Sequence, residues 1–217
     1  MKIGMNDRVR IAVFVSGGGS NLQAILDAEA VGKLRSGRVA LVISSSRSAY
    51  ALQRAANAGI PAFAFSKKEL GGQEAFEEAV REKLEEYGIG LIVLAGFLSI
   101  LSPAFTERYD HRIINIHPAL IPSFCGEGFY GLKVHEAALK KGVRITGATV
   151  HYVNAIPDGG EILEQKAVRV RKDDTAKSLQ LRVMQQAEWI ILPRTVEKVS
   201  AELLKREKQN RHTGKKH

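Results

Sequence analysis

The sequence has little cysteine and no long hydrophobic run, and both absences narrow the class of protein. Cys125 is the single cysteine among 217 residues, so the chain cannot form an internal disulfide and carries no mark of an oxidising compartment. No apolar stretch approaches the roughly 20 residues that a membrane-spanning helix requires. The hydrophobic content of 45% and the charged content of 25% are ordinary for a globular protein. We therefore expect one cytoplasmic domain with a substantial core and no contact with a membrane.

Acidic residues are fewer than basic ones, and the imbalance is concentrated at one end of the chain. The net charge is +9, and residues 205–217 supply five of these nine charges through six Lys or Arg against one Glu. This segment has almost no apolar residues, and no aromatic residues separate its charges as a nucleic-acid stacking platform would require. We predict a disordered basic tail that aids solubility, with an RNA-binding arm as the alternative. Nucleic acid is therefore not an expected partner.

Histidine is also sparse, with six residues in the chain, and no spacing among them matches a metal site. Because no cysteine pair is present either, we expect no bound metal. His151 lies in a predicted strand and His135 in a predicted helix. We assign both to packing or to supporting hydrogen bonds.

The first hundred residues alternate short apolar runs with helical patterns. Predicted strands cover residues 10–15, 39–44, 61–65 and 90–95, and predicted helices cover residues 21–30, 49–58 and 73–87. Strand, helix and strand repeated in this way favour a parallel sheet with right-handed crossovers. After the strand that ends near residue 117, a helix over residues 131–141 is predicted.

The last part of the chain has a different pattern. Predicted strands 146–153 and 162–170 flank a Pro-Asp-Gly-Gly turn and should pair antiparallel, and a final helix over residues 175–205 should bend near Pro193. The fold class is therefore α/β, a Rossmann-like, mostly parallel sheet flanked by helices, with antiparallel strands in the C-terminal part. We place this domain at residues 1–204 and the basic tail at residues 205–217.

A glycine-rich loop, residues 16–21 with the sequence SGGGSN, lies between the first strand and its helix. Backbone N–H groups converge there at the positive end of the helix dipole, so the loop should bind an anion. The dinucleotide fingerprint would need Gly where Leu22 stands, and the Gly-Lys-Ser/Thr of a nucleotide P-loop is missing. The loop is better suited to a monophosphate than to NAD or ATP. The alternative is a glycine turn that only starts a helix capped by Ser20.

Asn115 and His117 lie at alternate positions of an extended segment, so both side chains can reach one pocket. Pro118 disfavours continuation of the strand, which leaves the pair at the carboxyl edge of the sheet, where α/β proteins bind ligands. The amide could donate to an oxyanion while the imidazole moves a proton. Asp158 fits its turn on conformational grounds alone, but a carboxylate near His117 would raise the pKa of the imidazole and hold one tautomer.

Five segments in this order resemble the phosphoribosylglycinamide formyltransferases, folate-dependent enzymes of purine synthesis. The segments are VSGGGSNLQAI at 15–25, AGFLSILSPAF at 95–105, NIHPALIPSF at 115–124, GATVHYV at 147–153 and DGG at 158–160. The resemblance covers roughly residues 8–202. It implies transfer of a formyl group from the co-substrate 10-formyltetrahydrofolate to the amine of glycinamide ribonucleotide, with small molecules as partners.

The resemblance also implies roles for individual residues. Catalysis falls on Asn115, His117 and Asp158, and ribonucleotide binding falls on Gly19, Ser20, Asn21 and Glu188. Folate binding falls on Leu98, Ser99, Ile100, Leu101, Asn115, Asn154 and Gln73. Two of these positions depart from the family pattern, since some members carry a basic residue where Ser99 and Gln73 stand. The segment before Glu188 is also one residue longer than in some relatives.

Two other functions remain open at this point. Formyltetrahydrofolate deformylase, a hydrolase, shares the Asn-Ile-His core, but the Gly-Ser-Asn loop favours a ribonucleotide acceptor over water, and that family's additional N-terminal domain is not expected here. A non-catalytic phosphometabolite or RNA-binding module would leave Asn115, His117 and Asp158 unexplained. The oligomeric state, monomer or homodimer, is also open.

Overall fold

A computed structural model describes residues 8–213 of the chain, and these contain one seven-stranded sheet. The strands are β1 (Val9–Val15), β2 (Gly37–Ser44), β3 (Ala62–Ala64), β4 (Leu91–Leu94), β5 (Ile113–His117), β6 (Ile145–Tyr152) and β7 (Ile162–Arg169). Their order in the sheet is β3-β2-β1-β4-β5-β6-β7. Every pair from β3 to β5 is parallel, and the pairs β5–β6 and β6–β7 are antiparallel. The predicted mostly parallel sheet with antiparallel C-terminal strands is confirmed.

Helices cover both faces of this sheet. They are α1 (Ser20–Ala30), α2 (Tyr50–Asn57), α3 (Lys67–Leu70), α4 (Gln73–Glu86), α5 (Pro103–Arg108), α6 (Leu132–Lys141), α7 (Ala176–Val183) and α8 (Trp189–Thr213). Alternate residues of β1 enter two different cores, with Ile11 and Val13 on one face and Ala12 and Phe14 on the other. In the described part of the chain, no helix is both long enough and apolar enough to span a bilayer.

The predicted final helix is interrupted, and the interruption does not lie at Pro193. A π-helical turn, Met184–Glu188, separates α7 from α8, whereas Pro193 lies within α8. A π-turn accommodates one extra residue in a helix and is frequent at functional sites. The turn leaves Ala187 and Glu188 buried.

The predicted disorder of the basic tail is wrong for residues 205–213, because α8 continues through Thr213. Lys, Arg, Glu and Gln dominate this stretch and are good helix formers, so a helix already anchored by its buried first half can extend into solvent. Residues 205–210 are exposed. Residues 214–217 lie outside the described part of the chain, and the domain boundary at residue 204 stays a prediction.

The strand order positions the functional loops. Chain order reverses between β1 and β4, and in open α/β sheets ligands bind outside the carboxyl ends of the strands at such a point. The glycine-rich loop follows β1, residues 95–102 follow β4, and Asn115 and His117 lie at the end of β5. All three therefore lie at one edge of the sheet.

Candidate active site

The predicted catalytic pair is placed by β5 and by its antiparallel neighbour. Asn115 and His117 occupy alternate positions of the strand, and His117 is buried. In β6, His151 lies opposite Asn115 and Thr149 lies opposite His117. The Thr149 hydroxyl donates to the Ala119 carbonyl at 2.7 Å, which holds the chain that follows His117.

Asp158 meets the pair and is the centre of the cluster. Its Oδ2 lies 3.4 Å from His117 Nδ1 and accepts a hydrogen bond from the Gly126 N–H at 2.9 Å. Its Oδ1 lies 3.5 Å from both Asn115 Nδ2 and His151 Nε2. The structure thus brings together all three residues to which the sequence assigned catalysis.

The loop that carries Asp158 is held close to the end of β6. Asp158 has a positive φ of 54°. A Cβ at Gly160 would lie 1.8 Å from the Tyr152 carbonyl oxygen, so only glycine allows this approach. Asn154 Oδ1 accepts from the Ile156 N–H at 2.9 Å, an Asx-type turn that fixes the start of the loop.

The contacts of His117 define its neutral tautomer. Its Nε2 lies 2.8 Å from the Phe124 carbonyl, which can only accept, so Nε2 carries the proton and Nδ1 faces Asp158. Burial lowers the pKa of His117 below 6.5, while Asp158 and the Phe124 carbonyl act in the opposite direction. Asp158 therefore raises the pKa of His117, as predicted, but by less than burial lowers it. His117 is accordingly neutral at pH 7.

Asp158 remains ionised in this setting. Burial raises the pKa of its carboxyl group, but His151, the His117 ring and the Gly126 N–H together hold the pKa below its usual value. A carboxylate is thus available beside His117 Nδ1 whenever that nitrogen takes up a proton.

His151 belongs to the cluster and makes supporting hydrogen bonds, one of the two roles that the sequence predicted for it. Its Nδ1–H donates to the Tyr152 carbonyl at 2.7 Å, which leaves Nε2 to accept from Asn115 Nδ2 at 3.2 Å. His151 therefore orients the Asn115 amide. The available signal was the position of Thr149 and His151 at alternate residues of a predicted strand.

The glycine-rich loop presents its backbone at the amino end of α1. Gly17 and Gly18 are exposed, and Gly19 forms the helix N-cap with a φ of 71°. A Cβ at Gly19 would lie 2.6 Å from Ala51 Cβ, so glycine is required for the contact with α2 as well as for the φ angle. Ser20 is the first helical residue and does not cap the helix through its side chain.

Arg54 of α2 is a cation beside this loop that sequence reasoning missed. Its Nε donates to the Gly18 carbonyl at 2.8 Å, and its guanidinium also contacts Gln23 and lies 5.1 Å from the centre of the Tyr50 ring. No local sequence signal links α2 to the glycine loop, since the contact depends on how α1 and α2 pack.

Asn21 and Glu188 are joined across 167 positions of the sequence. Asn21 Nδ2 donates to Glu188 Oε2 at 2.6 Å, and both side chains are buried. Burial raises the pKa of Glu188 from its usual 4.5 to about 7, although the Asn21 hydrogen bond acts in the opposite direction. The π-turn therefore brings the predicted late-helix acid against the glycine loop.

A pocket of about 140 Å³ opens beside the catalytic cluster. Among the residues that line it are six of the seven predicted folate contacts, together with His151 and Asp158; the six are Leu98, Ser99, Ile100, Leu101, Asn115 and Asn154. The exposed side chains of Leu98 and Ile100 make its rim apolar. Gln73 is not part of the lining, but its Nε2 donates to the Ile100 carbonyl at 3.1 Å.

A larger groove of about 690 Å³ lies between α1 and α8. Ser20 and Arg54 line it, but none of the three predicted catalytic residues does.

No group of three or more His, Cys, Asp or Glu side chains within residues 8–213 could hold a metal ion. The expectation of a metal-free site stays a prediction.

Known proteins match this chain over most of its length. The model of the formyl transferase family matches residues 9–196. The phosphoribosylglycinamide formyltransferase of Haemophilus influenzae is 38% identical over 184 residues, which are 85% of this chain and 84% of that protein. The crystal structure of glycinamide ribonucleotide transformylase 1 from Symbiobacterium toebii has a TM-score of 0.85 and 37% identity, and the match covers 93% of this chain and 92% of that one.

Some relatives are much longer than this chain. The chloroplastic phosphoribosylglycinamide formyltransferase of Arabidopsis thaliana is 39% identical over 82% of this chain, which spans 61% of its length. The human trifunctional purine biosynthetic protein adenosine-3 is 39% identical over 89% of this chain, which spans 18% of that protein. The chain belongs to the formyl transferase family and, within it, to the phosphoribosylglycinamide formyltransferases.

Proposed function

We propose that this protein transfers a formyl group from 10-formyltetrahydrofolate to the amine of glycinamide ribonucleotide in purine biosynthesis. The products are formylglycinamide ribonucleotide and tetrahydrofolate. The observation that carries the proposal is the position of Asp158, within 3.5 Å of Asn115, His117 and His151 at one end of an apolar pocket. We also infer a cytoplasmic protein, since its one cysteine cannot form an internal disulfide, and both proposed substrates are small molecules.

In the proposed reaction His117 moves one proton. The amine nitrogen attacks the formyl carbon, and the electron pair of the carbonyl π bond passes to oxygen. Neutral His117 takes the proton from the attacking nitrogen on Nδ1, where the resulting N–H faces Asp158. The carbonyl then re-forms, the bond from carbon to folate N10 breaks, and His117 returns the proton to N10.

Asn115 is the proposed oxyanion donor. Its Nδ2 carries two hydrogens, one directed to His151 at 3.2 Å and one making a long contact of 3.5 Å with Asp158. The second hydrogen can bond to a developing oxyanion that lies along its direction at little cost, because the contact with Asp158 that it gives up is weak. Since His151 holds the amide in place, the donor is oriented before the substrate arrives.

The glycine-rich loop is the proposed site for the ribonucleotide phosphate. Its exposed backbone and the amino end of α1 favour an anion, and the Arg54 guanidinium lies beside Gly18. We assign Glu188 to the remainder of the same substrate, where a carboxylate can accept from a hydroxyl or an amine. We assign Asn21 mainly to positioning Glu188, because its Nδ2 already donates to that carboxylate.

The apolar pocket is the proposed folate site. The loops 97–101 and 153–158 line it together with Asn115 and His151. A flat pterin ring suits this apolar slot, and the polar groups in its lining include those that the reaction requires.

One assay tests the proposed function. Purified protein is mixed with 10-formyltetrahydrofolate, with and without glycinamide ribonucleotide, and tetrahydrofolate release is followed. We expect release only when the ribonucleotide is present. Release without it would identify a hydrolase, and no release under either condition would overturn the proposal in favour of a binding module.

The Asp158→Asn variant tests the proposed partner of His117. The negative charge raises the pKa of His117, so its loss should lower kcat/KM by about tenfold or more and move the acidic limb of the pH profile to lower pH. The limb should shift in this direction because His117 must be neutral to accept a proton. A profile unchanged in both height and position would contradict the assignment.

A further inference from the structure

Three consecutive glycines form the loop between β1 and α1, and helix α2 holds two of their carbonyls. The Ala51 N–H donates to the Gly17 carbonyl at 3.1 Å, and Arg54 Nε donates to the Gly18 carbonyl at 2.8 Å. Glycine has no side chain and can adopt several backbone conformations, so a run of three glycines does not fix its own peptide planes. The contacts with α2 therefore set the direction of these two carbonyls.

The direction of the carbonyls also fixes the direction of the amides that follow them. In a planar trans peptide, the C=O of one residue and the N–H of the next point in opposite directions. Because the Gly17 and Gly18 carbonyls face α2, the N–H groups of Gly18 and Gly19 face away from it. Neither N–H donates to another group among residues 8–213. Both amides are thus open to an anion on the side of the loop opposite α2.

Arg54 is held in place by contacts of its own. Its Nη1 donates to Gln23 Oε1 at 3.0 Å, and the centre of its guanidinium lies 5.1 Å from the centre of the Tyr50 ring. A hydrogen bond from a charged donor is about twice as strong as a neutral one. The guanidinium is therefore well placed to prevent rotation of the peptide between Gly18 and Gly19.

Building on the proposed function, we propose that Arg54 is a positioning residue for the ribonucleotide phosphate. It holds the Gly18 carbonyl so that the Gly19 N–H is directed at the phosphate before the substrate arrives. The guanidinium lies on the carbonyl side of this peptide and the phosphate on the N–H side, so the two do not touch. Donors that are already oriented bind more tightly, because less ordering is required on association.

Three substitutions of Arg54 separate its hydrogen bond from its charge. Gln carries an N–H at the side-chain position of Arg Nε but has no charge, Lys keeps the charge but has a methylene there, and Met has neither. Calorimetry measures binding of glycinamide ribonucleotide and of the riboside that lacks its phosphate. We expect Arg54→Met to weaken ribonucleotide binding about tenfold, Arg54→Gln to retain most of it and Arg54→Lys to resemble Arg54→Met. Riboside binding should be unchanged in all three variants.

Arg35→Met is the matched control. Arg35 Nε donates to the Gly32 carbonyl at 3.0 Å in an exposed turn, so this variant loses the same charge and the same type of contact elsewhere. It should bind the ribonucleotide like the wild type. Tight binding by Arg54→Lys with weak binding by Arg54→Gln would make Arg54 a direct phosphate ligand and overturn the inference. Equal weakening of both ligands, no weakening, or no ribonucleotide binding by the wild type would also overturn it.

Turnover supplies a second readout. Arg54→Met should raise the KM for the ribonucleotide with little change in kcat, since Arg54 lies in the groove that none of the three catalytic residues lines. A lower kcat with an unchanged KM would contradict the positioning role. If ribonucleotide binding follows the expected pattern but no formyl transfer occurs, the role of Arg54 stands and the proposed function fails.

Discussion

Replacement of His117 by alanine is expected to reduce kcat by about 100-fold or more, because the proposed reaction then loses its proton carrier. The His117 imidazole has a nitrogen, Nδ1, that is free of protons and faces Asp158, because its Nε2 donates to the Phe124 carbonyl. Asn115→Ala should have a loss of similar size, since it removes an oxyanion donor. Steady-state kinetics with saturating substrates measures both effects.

A matched variant separates chemistry from folding. His117→Gln can still donate from its amide to the Phe124 carbonyl, but it cannot take up and return a proton. We expect it to restore most of the stability that the alanine variant loses, while kcat stays as low as in that variant. Rates like those of the wild type in the His117 and Asn115 variants would rule out the proposed mechanism, whatever their stability.

Glu188→Gln is expected to make the protein more stable at pH 8 and less able to bind the ribonucleotide. The folded-state pKa of about 7 lies above the usual 4.5, so between these values the folded protein holds a proton that the unfolded chain does not. Glu188 therefore contributes stability at low pH and loses it as pH rises to 7. The difference between the two pKa values corresponds to a loss on the order of 3 kcal/mol in the free energy of unfolding.

The glutamine variant removes this dependence because its side chain is neutral at every pH. Its amide oxygen can still accept from Asn21, so the contact between α1 and the π-turn is retained. Relative to the wild type, we expect the variant to gain stability between pH 5 and pH 8. Urea unfolding at both pH values measures the gain, and Glu107→Gln, at an exposed position on α5, is the control.

The same substitution should raise the KM for the ribonucleotide by about tenfold or more, since a charged acceptor is lost from the proposed site. A gain in stability together with a loss of binding would identify Glu188 as a buried charge kept for function. If the free energy of unfolding of the variant differed from that of the wild type by the same amount at pH 5 and pH 8, the inference that burial raises the pKa of Glu188 would be contradicted. An unchanged KM would remove Glu188 from the ribonucleotide site.

Properties that depend on neighbouring residues could be predicted without the structure. The strand and helix pattern of the first hundred residues, the glycine loop before α1 and the shared direction of Asn115 and His117 all follow from backbone periodicity and turn chemistry. These are local because the spacing of side chains along a strand or helix is set by the geometry of the backbone itself. The resemblance added Asp158 and Glu188, which local patterns left ambiguous.

The relations between distant segments required the packed structure. Asn21 and Glu188 are 167 positions apart, and Asn115 and Asp158 are 43 apart, so their contacts depend on strand order and on a π-turn. The pairing of His151 with Asn115 depends on the β5–β6 register. The net pKa shift of His117 depends on whether burial outweighs Asp158. Such distances and burial are decided only when the sheet and helices pack, because no local backbone rule relates residues that far apart.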